Sequence, residues 1–136
     1  KDDPYSKKKI KEIIDKLSQQ MDKEDEYYDV IDKADIYFDQ NAFDKALGYY
    51  RDALKIIPND NYAKERIQKI LDIRANEKAK LENYNKLMAD GNLFLQNNQF
   101  DDALTAYQSA QLLFPNNPDP PKQIAAANDL KADYES

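Results

Sequence analysis

The sequence repeats itself at a spacing of 57 residues, and this repeat limits the chain to a fold assembled from one recurring unit. Residues of matching size and polarity recur at that spacing, in the pairs Ala34 and Gly91, Tyr37 and Phe94, Phe43 and Phe100, Ala46 and Ala103, Tyr50 and Tyr107, Ala53 and Ala110, and Pro58 and Pro115. A third copy is marked by Ile10, Ile67 and Ile124. Units of this kind contact mainly their neighbours, so we expect stability to be nearly additive along the chain.

Within the unit, the apolar residues have the period of an amphipathic helix. They recur three or four positions apart over 30–38 and again over 43–57. The short polar turn Gln40-Asn41-Ala42 separates the two segments, and Pro58 ends the second one. The sequence therefore predicts an αα-hairpin here and an equivalent hairpin over 84–114, in an all-α fold.

A further amphipathic helix is predicted after each hairpin. Its apolar face carries Ile67, Ile70 and Leu71. No proline or glycine interrupts 62–90, and the central stretch 76–80 is polar on every side, which is typical of a helix that crosses solvent between packed regions. We expect 61–97 to form one long helix of about 54 Å, at 1.5 Å per residue. The segment 5–39 is expected to do the same.

The spacing of the small and aromatic residues resembles the tetratricopeptide repeat, a 34-residue αα-hairpin motif. Counted from Tyr27, the matching positions hold Ala34, Tyr37, Ala46, Tyr50, Ala53 and Pro58, and counted from Tyr84 they hold Gly91, Phe94, Ala103, Tyr107, Ala110 and Pro115. Lys33 and Asp90 depart from the motif, which usually has an apolar residue at its seventh position. The resemblance implies an elongated α-solenoid, and the long shared helix is similar to repeats of bacterial envelope-associated proteins.

The repeat divides the chain into five segments. We expect a capping-type helix of a preceding unit at 1–26, a first motif at 27–60, a capping and linker helix at 61–83, a second motif at 84–117, and a C-terminal capping helix at 118–136. Because the chain opens at Lys1 without a methionine, we expect it to be part of a larger polypeptide or complex.

Composition removes several classes of function. The chain has no Cys and no His, which excludes disulfides, thiol and imidazole catalysis, and ordinary zinc or copper sites. A net charge of −6 disfavours nucleic acid as a partner, because phosphate binding needs a basic face. No apolar run approaches the roughly 20 residues that a membrane span requires. We therefore expect no cofactor, no metal, no nucleic-acid partner and no membrane insertion.

The charged residues do not indicate a catalytic site. Carboxylate pairs such as Asp22 with Asp25 belong to segments that are predicted to be solvated helix surface, whereas acid–base catalysis needs carboxyl groups in a cleft that separates their pKa values. The basic stretch Lys7-Lys8-Lys9 is better explained as a solvated helix face than as a phosphate site. We expect no enzymatic activity.

The resemblance implies which residues line the concave surface of the array. Carried over position by position, they are Tyr28, Ile31, Asp35, Phe38 and Asp39 in the first motif, and Asn85, Met88, Asn92, Leu95 and Gln96 in the second. Family members that grip a carboxyl terminus use a lysine and an asparagine, and only Asn92 fits that pattern. The residue types favour a groove for a helix or an extended segment, although packing on a neighbouring helix is an equally good explanation of some of them.

Two functions remain open from the sequence. The first is a scaffold-type interaction module, with a protein or peptide as the partner. The second is a structural spacer whose long helices set a distance within a larger repeat-containing protein of the cell envelope. Both the bacterial periplasm or cell envelope and the cytoplasm remain open as compartments.

Overall fold

The computed structural model describes residues 3–136, and every regular element in that range is an α-helix. The helices are α1 (Pro4–Asp39), α2 (Phe43–Ile56), α3 (Asn61–Gln96), α4 (Phe100–Leu113) and α5 (Asp119–Glu135). The prediction of an all-α chain is confirmed. The first two residues of the predicted segment 1–26 lie outside the described residues.

The two long helices are present as expected. Both α1 and α3 continue for 36 residues, and their ends lie within one residue of the predicted 5–39 and 61–97. In α3, every residue of 74–83 is exposed, in agreement with the polar composition of its centre. No tertiary contact is needed to explain the continuity, because 62–90 contains neither proline nor glycine.

Polar side chains begin the helices at equivalent places of the repeat. Backbone N–H groups donate to the side-chain oxygens in the pairs Tyr5 to Asp3 (3.1 Å), Ala63 to Asp60 (3.1 Å) and Asp119 to Asn117 (3.0 Å). In the third copy, α5 begins at Asp119, within the predicted segment 118–136. Pro118 already has helical dihedral angles, with φ −75° and ψ −13°, but it has no N–H group to enter the helical ladder.

Asparagine ends the first helix of each hairpin. Asn41 has φ 59° and Asn98 has φ 57°, both in the left-handed region that asparagine tolerates better than most residues. After α1, the N–H groups of Asn41 and Ala42 donate to the carbonyls of Phe38 and Tyr37, at 3.0 and 2.9 Å. This geometry satisfies the terminal carbonyls of α1 and reverses the chain, so the predicted turn Gln40-Asn41-Ala42 is confirmed.

The chain forms two compact units, one reaching to Ile73 and the other covering Arg74–Ser136. The core of the first unit joins the end of α1, the whole of α2 and the start of α3. Its buried residues are Tyr27, Ile31, Ala34, Ala46, Leu47, Tyr50, Ala53, Ala63 and Ile70. The four alanines are fully buried, and their small side chains let the helices approach closely around the ring of Tyr50.

The core of the second unit is assembled from the equivalent residues. Ala103, Tyr107 and Ala127 are fully buried, and around them pack Met88, Phe94, Leu95, Leu104 and Ile124. An ion pair between Lys131 of α5 and Asp101 of α4, 2.9 Å long, joins these two helices at the surface. Ala127 occupies the place of Ile70, so α5 buries less apolar surface at this position than α3 does.

The two glycines lie in opposite environments. A methyl group on Gly91 would lie 2.6 Å from Cε1 of Tyr107, too close for any real contact. Gly91 therefore gives the buried tyrosine ring the space it occupies. Gly48 is exposed on α2, and a methyl group there would meet no atom within 4 Å.

Alanine substitution of Gly48 and of Gly91 should change stability in opposite directions. We expect Gly48→Ala to stabilise the chain by about 1 kcal/mol, because alanine is the better helix former and the space is free. Gly91→Ala should instead destabilise it by about 1–3 kcal/mol through overpacking against Tyr107. Denaturant unfolding followed by circular dichroism measures both. Equal effects of the two changes would contradict the packing described here.

Candidate binding surface

The ten residues predicted to line a concave surface differ widely in exposure. Ile31 is buried, Asp35, Phe38, Met88 and Leu95 are half-buried, and Tyr28, Asp39, Asn85, Asn92 and Gln96 are exposed. Ile31 and Met88 contact the cores of their units. A polar substitution of Ile31 would therefore change folding rather than the surface that a partner meets.

Asp35 is the acceptor of a hydrogen-bond network in the first unit. The hydroxyl of Tyr50 donates to its carboxylate, and the hydroxyl of Tyr62 lies 2.8 and 2.9 Å from its two oxygens. Nε of Arg66 in turn donates to the hydroxyl of Tyr62, at 3.2 Å. Burial, followed by the hydrogen bond to Asp35, raises the pKa of Tyr50 above its ordinary value. The network connects α1, α2 and α3 around one carboxylate.

In the second unit, Asn92 accepts a hydrogen bond from Tyr107, as Asp35 accepts one from Tyr50 in the first. The tyrosine hydroxyl donates to Oδ1 of Asn92 over 2.6 Å, and burial raises the pKa of Tyr107. In both units the acceptor precedes its tyrosine by 15 residues. In both copies a residue with a side-chain oxygen lies 15 positions before the buried tyrosine. This recurrence is the sequence signal that could have revealed the two pairs.

Phe38 lies beneath two basic side chains. The guanidinium carbon of Arg66 is 4.6 Å from the ring centroid of Phe38, and Nζ of Lys69 is 5.7 Å away. These are cation–π distances. Arg66 and Lys69 also border a shallow depression of about 280 Å³, together with Tyr62 and Glu65. The sequence-based set did not contain these α3 residues, because the resemblance pointed only to the first helix of each motif.

In the second unit, three of the predicted residues come together. Asn92, Leu95 and Gln96 line one open depression of about 420 Å³, and Leu130 of α5 completes it. Leu95 and Leu130 continue into a neighbouring depression of about 310 Å³ that Tyr134 also lines. The lining of the first depression combines two leucines with two amide side chains. The contribution of α5 was missing from the sequence-based set.

Tyr28 and Asn85 lie on exposed parts of α1 and α3, and Tyr28 meets Tyr27 edge-on at 5.2 Å between ring centroids. The hydroxyl of Tyr27 donates to Asp60 over 2.6 Å. The equivalent Tyr84 is also buried, yet no described residue accepts a hydrogen bond from its hydroxyl. The residue at the place of Asp60 is Asn117, whose Oδ1 accepts the N–H of Asp119 instead.

The described residues contain neither a metal site nor a membrane-spanning helix. Residues 3–136 contain no group of three or more His, Cys, Asp or Glu side chains arranged to hold a metal ion. No helix described by the structure combines the length and the apolar character needed to cross a bilayer. In comparisons with known proteins, no family model, no curated protein and no solved structure matches the chain.

Removing the hydroxyl groups of Tyr27 and Tyr84, which are equivalent in the repeat, should change stability in different directions. We expect Tyr27→Phe to destabilise the chain by about 1–3 kcal/mol, because it removes a hydrogen bond to a carboxylate. Tyr84→Phe should be neutral or stabilising, since it removes a buried hydroxyl that has no partner among the described residues. Thermal and denaturant melts of the two variants provide the comparison. Destabilisation of similar size in both would show that Tyr84 has an acceptor.

Stability should fall at alkaline pH through the buried tyrosines. In the folded chain the pKa values of Tyr50 and Tyr107 lie above their ordinary 10.0. The contribution of these protonated tyrosines to stability is therefore fully present below pH 10. Above it, the unfolded chain loses protons that the folded chain keeps, and stability declines by up to about 1.4 kcal/mol per pH unit for each tyrosine. Unfolding free energies measured from pH 8 to 11.5 should decline less steeply for Tyr50→Phe than for the wild type. The exposed Tyr5→Phe serves as the matched control, and a slope equal to that of Tyr50→Phe would refute the assignment.

Proposed function

We propose that the chain is a non-catalytic interaction module of the tetratricopeptide type, which holds a peptide or protein segment of a partner on the surfaces of its αα-hairpins. The motif's packing positions support this assignment, because Ala46, Tyr50, Ala103 and Tyr107 are all fully buried. One observation carries the binding role. The depression of the second unit gathers Asn92, Leu95 and Gln96 with Leu130, so apolar and amide side chains line it together.

This surface has the chemistry to hold an extended or helical segment through one apolar side chain. Leu95 and Leu130 provide contact area for that side chain. Since Oδ1 of Asn92 already accepts from Tyr107, its amide group is the part that can donate to a partner carbonyl. Gln96 is exposed and can both donate and accept. The segment we propose therefore carries an apolar residue between backbone groups that remain available for hydrogen bonding.

The first unit offers a different surface. The ring of Phe38 is flanked by the cations of Arg66 and Lys69, so this face favours a segment with an acidic residue close to an apolar one. The Asp35 carboxylate accepts hydrogen bonds from two tyrosine hydroxyls, so fewer of its lone pairs are open to a partner. Different side chains at equivalent places mean that the two units select different sequences.

A pair of leucine substitutions tests the proposal. Leu130 and Leu112 are both exposed leucines of the second unit, but only Leu130 borders the depression. A polypeptide captured from a native extract by the wild type should be retained by Leu112→Asp and bound at least about 10-fold more weakly by Leu130→Asp, a change of about 1.4 kcal/mol. Circular dichroism of both variants checks the fold. Equal retention by folded Leu130→Asp would refute binding at this surface.

The alternative is a structural spacer of a larger repeat-containing protein of the cell envelope. One observation favours it, because α3 is a single helix of 36 residues in which all of 74–83 is exposed. Deleting seven residues, 76–82, removes about two helical turns. If the chain is a spacer, the deletion abolishes the function of the protein that contains it, whereas Leu130→Asp leaves that function intact. An interaction module shows the reverse.

A further inference from the structure

The first half of α1 carries an apolar face that is exposed to solvent. Its members follow helical spacing, with Ile10 57 %, Ile13 56 %, Ile14 57 % and Leu17 54 % exposed. Met21 extends the same face towards the middle of α1 and is also more than half exposed. Isolated apolar residues are normal on a surface, whereas a contiguous row of this kind indicates an interaction site.

The repeat contains two other copies of this face, and in both its centre is covered, at the positions equivalent to Ile13 and, in part, to Ile10. Ile13 corresponds to Ile70 of α3 and to Ala127 of α5, which are both fully buried. Ile70 packs in a core formed with the αα-hairpin of α1 and α2, and Ala127 packs with Ala103 and Tyr107 of α4. The position equivalent to Ile13 is thus buried against an αα-hairpin in both of the other copies.

The polar groups at the start of α1 match those of α3 as well. Asp60 accepts the hydroxyl proton of Tyr27, and the hydroxyl of Tyr62 donates to Asp35, so two hydrogen bonds join the start of α3 to its hairpin. The equivalent residues in α1 are Asp3 and Tyr5, which have the same side chains. In α5 they are replaced by Asn117 and Asp119. The start of α1 therefore resembles the start of α3, which binds a hairpin, more closely than the start of α5 does.

We propose that residues 3–17, which are the N-cap Asp3 and the start of α1, form a docking surface for a further αα-hairpin of the same repeat type, which packs on them as the α1–α2 hairpin packs on the start of α3. The chemistry of that hairpin follows from the equivalent contacts. It presents small residues where Ala46 and Ala53 stand, a tyrosine that donates to Asp3, and a carboxylate or carboxamide that accepts from Tyr5. This surface is separate from the depressions of the proposed function, and the inference does not depend on them.

A second copy of this chain does not fit as the occupant. Docking would need a hairpin whose alanine and tyrosine face is open. In the first unit, Ala46 and Tyr50 are fully buried with Ala63 and Ile70 of α3. In the second, Ala103 and Tyr107 are fully buried with Ala127 of α5. The occupant is a hairpin without a third helix of its own on that face.

The sequence allows a direct test, because it contains no cysteine. An extended chain is made in which a second copy of residues 27–59 is joined directly to Asp3, which restores the register of 57 residues. The thiol-labelling rate of Ile13→Cys is then measured with and without the added hairpin. We expect the rate to fall at least about 10-fold when the hairpin is present, towards that of Ile70→Cys, which marks a covered site.

Two controls make the result specific. Asp15→Cys lies on the other side of the same helical turn and should be labelled at the same rate in both chains. Ala46→Leu, placed only in the added copy, should overpack the contact and restore fast labelling of Ile13→Cys. Far-ultraviolet circular dichroism reports whether the added residues become helical.

Each remaining outcome overturns the proposal. Fast labelling beside a folded hairpin means that it does not dock on α1. An added segment that stays unfolded means that this surface cannot support the partner assigned to it. Labelling of Ile13→Cys that slows with protein concentration in the original chain assigns the face to self-association instead.

Discussion

Each unit depends on a tyrosine that is enclosed completely by helices. Tyr50 and Tyr107 have no exposed surface, so their rings need small neighbours and their hydroxyls need acceptors. Alanines meet the first requirement in both units, and Gly91 meets it again in the second, where its hydrogen faces the ring. Asp35 and Asn92 meet the second requirement. Helix spacing and helix orientation around the hairpin both follow from these needs.

The repeat keeps the tyrosine and varies the residues that attach the third helix. In the first unit, α3 is held by buried Ile70 and by hydrogen bonds from Tyr27 and Tyr62 to carboxylates. In the second, α5 has Ala127 and an ion pair between Lys131 and Asp101. An exposed ion pair contributes about 0–1 kcal/mol, less than the burial of an isoleucine side chain. At this one position of the repeat, the third helix of the second unit therefore contributes less apolar burial than that of the first.

The same network decides which surface remains for a partner. Positions that the resemblance assigned to ligand contact are partly used inside the protein, since Asp35 and Asn92 accept from core tyrosines and Ile31 is buried. In the second unit, Leu95 and Leu130 line one depression together with Asn92 and Gln96. In the first, Phe38 stands at the place of Leu95 and lies beneath Arg66 and Lys69. The two units thus share their packing residues and differ in the residues at their surfaces.

The sequence by itself determined the all-α class, the unit of 57 residues, the lengths of α1 and α3 to within one residue, and the turn at Asn41. These features are local, because helical periodicity and asparagine or proline stops act over a few residues. Only the tertiary structure decided that Asp35 bonds Tyr50 and Tyr62, that Phe38 lies under Arg66, and that Leu130 joins Leu95. Those contacts join residues far apart in the chain, and which side chains meet depends on how the helices are rotated and spaced when they pack.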